Sequence, residues 1–495
     1  MTIDRNKAPL YEALAAHARL RVHPFHVPGH KQRADWGEGL AASYYEPLLA
    51  LDVTELSDTD DLHHPEGPLL EAQTLAADCF GAEETRFLVG GSTSGNLAMI
   101  LGVCQPGDLV IVQRNVHKSI IHGLMLAGAR AILLPPLIDN ASGLATMPAT
   151  ELLQATVERY SEAKAVILSA PNYYGMSPDL KLLVAVAHRK GIPVLIDEAH
   201  GAHYGFHSDF PQSALQAGAD LSVQSTHKML SAMTMGAMLH MQGDRLPREQ
   251  IRQALTMVQS SSPSFPIMGT LDLARRQLHA QGSQAFHSAL ESVKRAREGM
   301  ERTPFRALGY DQYASEGISY DPLKLVLFDE GATLSGFELR DELIQRNCIA
   351  EMADSRYVVM AFGIGSKLAD GEGLRTALLD IAKNISSGRE RKLPEHTRTN
   401  TGRVTPKAND GLTSVPEPTL FGREVVSAQP VELDRSVGFI AAEWVIPYPP
   451  GIPVLYPGEA ITEDIVEQLR HWKYEGAQIQ GARDPELRTI QVRKP

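Results

Sequence analysis

Seven apolar runs of strand length, most of them separated by helix-patterned segments, limit this chain's fold more than any other feature. They are TRFLVGG (85–91), LVIVQ (109–113), AILLP (131–135), AVILSAP (165–171), PVLIDEAH (193–200), LSVQSTHK (221–228) and GAMLHM (236–241). GNLAMILGVC and residues 179–190 carry helical periodicity between them. Strands alternating with helices form a mostly parallel sheet covered on both faces. The expected fold class is therefore α/β, with a mostly parallel, seven-stranded sheet in a larger domain. Ligands of such sheets sit beyond the carboxyl ends of the strands. Polar residues cluster at those ends here: Gly91-Ser92-Thr93, Pro171-Asn172, Asp197, and Ser225 to Lys228.

From about residue 276 the texture changes. QAFHSALESVKRAREGMERTPF reads as a long polar helix joining two domains. A strand at 323–329, a helix at 337–346 and strands near Ala350 and Val358 make a smaller α/β domain. PLYEALAAHARL near the start reads as a short amphipathic helix. Residues 388–418, rich in Pro, Thr, Arg and Asn, read as a loop or mobile linker. WVIPYPPGIPVLYPGE (444–459) holds too much proline for a central strand and reads as a rigid, packed loop. The expected organisation is an arm over 1–30, a large domain over 31–275, a small domain over 276–387, a linker over 388–430 and a C-terminal segment over 431–495.

With 495 residues the chain exceeds one ordinary core. Its net charge of -12 argues against nucleic-acid binding, since no excess of Lys and Arg is left for phosphates. That charge suits a cationic small molecule. Cys79, Cys104 and Cys348 form no CxxC pair, against a disulfide framework or a cysteine zinc site. Residues 1–30 carry no readable secretory signal, and no run approaches a membrane span. The expected location is the cytoplasm.

GGSTSGN (90–96) ends a strand and opens a helix. Free N–H groups at a helix start, with the helix dipole, favour an anion. Ser92, Thr93 and Ser94 add hydroxyls, and small residues permit close approach. A phosphate cup fits this pattern; so does a serine-rich helix cap. Asp197 closes an apolar run, where a carboxylate needs a partner. A protonated pyridinium nitrogen would serve, as would a metal ion or a helix N-terminus. His200, His203 and His207 raise the metal alternative, but Gly201 and Gly205 work against the helix that their spacing would need. Lys228 follows an apolar strand beside Ser225, Thr226 and His227. Burial there disfavours its charged form, and a neutral amine is what Schiff-base formation needs. A lysine snorkelling from a loop is the plainer alternative. His117 is placed to stack on an aromatic ring or to be a structural histidine.

The order of these features says more than any one of them. A phosphate cup, a stacking histidine, a carboxylate and a lysine follow one another at the strand ends of one sheet. FHVPGHK (25–31), DVTELSDTDDLHHPEG (52–67), GSTSGN (91–96), RNVHKS (114–119), APNYYG (170–175), DEAHGAHYGFH (197–207), STHKMLSAMTMGAM (225–238), SSSPSFPIMGTLD (260–272) and YPPGIPVLYPGE (448–459) complete the pattern. On these motifs the chain resembles the ornithine/lysine/arginine decarboxylases, pyridoxal-phosphate enzymes of fold type I, the aspartate-aminotransferase-like fold. It is similar to the short form without an N-terminal wing domain, since its PGHK motif begins by residue 28.

The resemblance implies roles. Lys228 would carry pyridoxal 5'-phosphate covalently, and Asp197 would pair with the pyridine nitrogen. His117 would stack on the ring, with Ala199 on its other face and His200 alongside. Ser92, Thr93, Ser94, Ser225 and His227 would bind the phosphate. Ser261 and Ser262 would reach the phosphate of a partner subunit in a homodimer or larger homo-oligomer. Glu459 in the C-terminal segment, or Asp60, would face the substrate's distal cation. Lys228 or His227 would protonate the α-carbon. The implied reaction is decarboxylation of a basic L-amino acid, with arginine favoured over lysine and ornithine. The alternatives are an aminotransferase or carbon–carbon lyase on the same fold, a non-catalytic relative, or a hydrolase using the histidines around 200–207.

Overall fold

The computed structural model describes residues 4–20, 23–33, 36–37, 39–386, 415–422, 427–448, 452–474 and 476–494. Helices α1 (Pro9–Ala18), α2 (Gly39–Leu49) and α3 (Pro68–Phe80) precede the large sheet. There follow β1 (Glu84–Leu88), α4 (Gly91–Val103), β2 (Leu109–Gln113), α5 (Lys118–Ala127), β3 (Arg130–Leu134), α6 (Thr150–Arg159), β4 (Val166–Ser169) and β5 (Met176–Pro178). Then come α7 (Leu180–His188), β6 (Val194–Asp197), β7 (Leu221–Gln224), α8 (Thr226–Met229), β8 (Ala237–Met241), α9 (Arg248–Val258) and α10 (Phe265–Gln281).

The sheet order is β1-β8-β7-β6-β4-β2-β3. β3, β2, β4, β6 and β7 run parallel, while β8 is antiparallel to both β7 and β1. β2, β6, β7 and β8 are buried at every position, as expected of strands covered on both faces. Register then does the placing. Ser169 lies beside Asp197 and Asp197 beside Val223, so β4, β6 and β7 end level. β1 runs the same way as β7, and Leu88 faces Ala237 one step from the Gln224–Met238 pair. The chain therefore leaves β1, β2, β4, β6 and β7 at one edge, bringing GSTSGN, NVHK, PNYY, EAH and STHK together.

Helix α4 lies close to α9 because Gly102 has no side chain. A β-carbon there would sit 2.7 Å from Ile251 Cα and 2.9 Å from Ile251 N, both backbone atoms. Gly102→Ala must separate the helices, and overpacking of this kind costs about 2 kcal/mol. A lowered melting temperature is the expected outcome in a thermal melt against wild type. An unchanged melt would mean that the helices yield freely here.

The expected long polar helix, 284–305, forms only over His287–Arg297, with a 3₁₀ turn before it and another at Met300–Arg302. α10 stops at Gly282, whose φ of +53 is left-handed, and a 3₁₀ turn over Gly282–Phe286 precedes α11 (His287–Arg297). Nor is α11 polar all round: Ala289, Val293 and Ala296 join the core beneath the second domain. That domain continues with β9 (Phe305–Ala307), β10 (Ile318–Tyr320), β11 (Lys324–Asp329), α12 (Gly336–Ile344), β12 (Met352–Ala353), β13 (Val358–Ala361) and α13 (Leu368–Ser386). Its antiparallel sheet has the order β12-β13-β11-β9, and β10 pairs instead with β5 of the large domain.

Residues 387–414, most of the expected linker, lie outside the described residues. Directly after them β14 (Thr419–Leu420) adds a short eighth strand to the large sheet, antiparallel to β3. The remaining elements are β15 (Ala428–Glu432), β16 (Ile446–Tyr448), α14 (Glu463–Tyr474), β17 (Gln478–Gln480) and β18 (Thr489–Arg493). They enclose a core of their own that includes Leu433, Val445, Leu455, Ile461, Val466 and Ile490. Part of the proline-rich tail is thus a strand after all: β16 forms a two-stranded ribbon with β17, which is no central strand. Among the described residues no helix is long and apolar enough to cross a membrane.

Candidate active site

The level strand ends gather two lysines around one histidine. Lys228 sits in the single turn α8, directly after β7. Its Nζ lies 3.0 Å from His200 Nε2, on the chain leaving β6. His200 Nδ1 lies 3.2 Å from Nζ of Lys324, at the start of β11 in the small domain. The Tyr173 ring lies against His200, with centroids 4.4 Å apart, and both amines are about 6 Å from its centre, at 5.8 and 6.0 Å. Burial pushes the Lys228 amine below the ordinary lysine range, and Asp197 and Glu351 oppose that shift. Burial likewise lowers Lys324, against Asp321 and Glu351. His200 is held well below the usual histidine value by burial and by the two amines. A neutral amine and a neutral imidazole are therefore the forms this enclosure favours.

Asp197 ends β6 at 3% exposure. Its carboxylate accepts from Asn96 Nδ2 at 2.8 Å and from the Ala199 N–H at 3.2 Å. No Lys, Arg or His among the described residues lies within ion-pair distance of it. Asn96, one turn into α4, also donates to Ser119 Oγ at 2.9 Å, and its own Oδ1 is buried without a partner. His117 caps α5, its Nδ1 accepting from Ser119 N and lying 2.8 Å from Ser119 Oγ. Burial depresses its basicity, with Asp197 opposing and Lys228 adding to the shift.

The start of α4 lies beside α8. No side chain caps α4, and Ser225 Oγ lies 2.9 Å from Ser92 Oγ. Thr93 is exposed, whereas Ser94 is buried and donates to Gly91 O. Thr226 Oγ1 is buried without a partner. His227 Nδ1 lies 3.0 Å from Gly236 O, which fixes that nitrogen as the donor.

The other expected residues stand apart. Ser261 and Ser262 are exposed between α9 and α10. Asp60 is taken up by its own loop. Burial works to raise its carboxyl, but N–H groups of Glu66, Asp61, Gly67 and Leu69 outweigh it and hold it below the ordinary value. Glu459 is held by Arg114, whose Nη2 reaches both carboxylate oxygens at 3.0 Å. Arg114 also donates to the Pro453 and Val454 carbonyls and stacks on Tyr456, 4.1 Å from the ring centre. The 310 Å³ cavity beside this cluster has Glu459 in its lining and does not have Lys228. His203 meets Asp321 at 3.0 Å, and no group of three or more potential metal ligands exists among the described residues.

Three residues here were not singled out from the sequence: Lys324, Tyr173 and Asn96. Lys324 opens the fully buried strand KLVLFD, a setting much like the one that drew attention to Lys228. Tyr173 and Asn96 sit inside quoted motifs, but their partners come from distant parts of the chain.

A buried carboxylate facing amides alone, unpartnered oxygens at Asn96 and Thr226, an uncapped helix start and a buried amine together suit a phosphorylated, cationic aromatic ring. The fold agrees. The chain superposes on the lysine decarboxylase LdcF of Francisella novicida with a TM-score of 0.79 at 19% identity, covering 98% of this chain and 81% of that one. This is the architecture of a pyridoxal-phosphate enzyme of fold type I. The model of the Orn/Lys/Arg decarboxylase major domain matches residues 8–308, and that of the family's C-terminal domain matches residues 422–481. YaaO of Bacillus subtilis (strain 168) is 41% identical over 93% of both chains. The arginine decarboxylase of the same organism is 32% identical over 99% of both. The chain belongs to the Orn/Lys/Arg decarboxylase family and is a pyridoxal-phosphate-dependent amino-acid decarboxylase.

Proposed function

We propose that this enzyme removes the α-carboxylate of L-arginine, and that Lys228 carries its cofactor. The observation that carries the assignment of Lys228 is its partly buried amine, 3.0 Å from His200, in the enclosure that also holds Asp197. Arginine is preferred because the relatives that match nearly the whole chain at 29–32% identity are arginine decarboxylases, whereas the lysine decarboxylase LdcA of Pseudomonas aeruginosa is 24% identical.

When bound, the cofactor supplies an electron sink conjugated to the substrate's α-carbon, which takes up the electron pair left as CO₂ departs. Asp197 would hold positive charge at the ring nitrogen and His117 would stack on the ring, with Ala199 opposite and His200 at the lysine. Ser92, Thr93, Ser94, Ser225 and His227 would hold the phosphate, helped by the first-turn N–H groups of α4 that follow Gly91, whose own N–H donates to Met235 O. Ser261 and Ser262, exposed on their loop, would reach the phosphate of a partner subunit. His200, 3.0 Å from Lys228 Nζ, would hold that amine whenever it is not attached to the cofactor. Lys228 is then the group we assign to protonate the α-carbon. His227 is less suited, because burial lowers its basicity and Gly236 O occupies its N–H. The substrate's guanidinium is assigned to Glu459 or Asp60, each of which would exchange present partners to receive it.

The test is CO₂ release from arginine, lysine and ornithine offered in parallel to the loaded enzyme. Arginine should give the highest kcat/KM. A higher value with lysine or ornithine would overturn the substrate assignment. A keto acid product would point to transamination.

A further inference from the structure

His200 stands between two amines, and proton counting limits what the three groups can hold. A neutral imidazole offers one N–H and one lone pair. Two ammonium groups would both have to donate, at 3.0 Å to Nε2 and at 3.2 Å to Nδ1, and one ring cannot accept twice. A protonated ring would donate twice and would need both amines neutral. With both contacts kept, the three groups therefore share at most one excess proton.

We propose that Lys324 takes the proton of Lys228 through His200, leaving Lys228 a free amine able to add to the cofactor's aldehyde with loss of water. Lys228 Nζ gives a proton to His200 Nε2, and His200 Nδ1 gives one to Lys324 Nζ. Two N–H bonds break and two form, the ring changes tautomer, and no electrons are transferred. Positive charge moves from the large domain to the small one. Lys324 is a positioning residue in this scheme, acting on Lys228 through His200, and the proposal rests on Lys228 being the cofactor lysine.

Each amine has one carboxylate of its own and shares a third, and the one belonging to Lys228, Asp197, is the group assigned above to the cofactor's ring nitrogen. Asp321, just before β11, and Glu351, just before β12, act on Lys324. Asp321 also meets His203 at 3.0 Å. Asp197, at the end of β6, and Glu351 act on Lys228. His117 and His227 face His200 from α5 and α8. Tyr173 lies over the ring and both amines, walling the chain of contacts from one side.

The test follows cofactor capture. Full-length protein is stripped with hydroxylamine, pyridoxal 5'-phosphate is added across a pH series, and growth of the absorbance band is timed. The rate rises with the fraction of neutral Lys228, so the profile has a midpoint. Lys324→Met should move that midpoint up by about one pH unit relative to wild type, whereas Lys324→Arg should leave it at or below the wild-type value. The arginine variant stands for the state after transfer, since its fixed charge donates to Nδ1 and leaves the Nε2 proton facing a neutral Lys228. A wild-type midpoint in Lys324→Met, or a midpoint in Lys324→Arg raised as far as in Lys324→Met, would overturn the proposal. His200→Gln, which cannot change tautomer, should give the same upward shift and serves if the Lys324 variants do not fold. Should Lys228→Ala still form a band that borohydride fixes to the protein, the assignment of Lys228 itself fails.

Discussion

Lys228→Ala is expected to lower CO₂ release at least about 10³-fold, the middle of the range of about 10²–10⁴ that one positioned proton-transfer group contributes. The loss is large because one amine serves twice in the proposed scheme: it attaches the cofactor and it returns a proton to the α-carbon. Alanine does neither, and no other residue can take over the position. Lys324 is held on the far side of His200, with the ring between the two amines. The measurement is single-turnover CO₂ release by a variant saturated with pyridoxal 5'-phosphate. Borohydride should fix no label to this protein, although it fixes the cofactor to wild type. A variant within tenfold of wild type would remove Lys228 from the centre of the site. Added methylamine should restore part of the proton-transfer rate without restoring covalent attachment, which separates the two duties.

The second large effect is expected at Asp197. Its carboxylate is buried at 3% exposure and meets only N–H donors from Asn96 and Ala199. Such a charge persists in the interior when a cation completes it, and the proposed cation is the ring nitrogen. Breaking one side of a buried charge pair costs about 3–5 kcal/mol, which is roughly two to four decades of affinity or rate. Asp197→Ala should therefore weaken cofactor binding and lower kcat together. Asp197→Glu should recover binding better than rate, because the longer side chain keeps the charge but shifts it. Cofactor titration followed by absorbance, with kcat measured at saturation, reads both quantities. Wild-type affinity in Asp197→Ala would mean that the carboxylate faces something other than the cofactor.

The strands of the large sheet were legible because they are buried on both faces. LVIVQ and GAMLHM could therefore be read as continuous apolar runs, without a turn or a neighbour to consult. The residues at their ends were legible for a related reason, since polar atoms such as those of Asp197 and Lys228 are conspicuous after an apolar run. What could not be read was partnership across the chain. Lys324 belongs to another domain, and only the docking of β11 near β6 and β7 makes it a neighbour of His200. Asn96 looked like the end of a phosphate motif, yet it supports a carboxylate 101 residues away. For Glu459 and Asp60 the resemblance implies a role resting on negative charge, and charge says nothing about prior engagement. Arg114 holds the first, and a loop's own backbone the second. The early end of α11 depended on an extended backbone at Glu298 and a left-handed one at Gly299, while glycine elsewhere in this chain sits inside helices, as Gly102 does.

The Arg114 contacts also set an order of events during synthesis. Arg114 leaves β2 only three residues before His117, yet the acceptors of its guanidinium come from Pro453, Val454 and Glu459, the last of them 345 residues later in the chain. Domains close one after another as a nascent chain emerges. The eighth residue-run of this protein's large sheet aside, its strands are all translated by Met241. On the ribosome, the carboxyl end of β2 must therefore wait with an unmatched cation until the message has been read as far as Glu459.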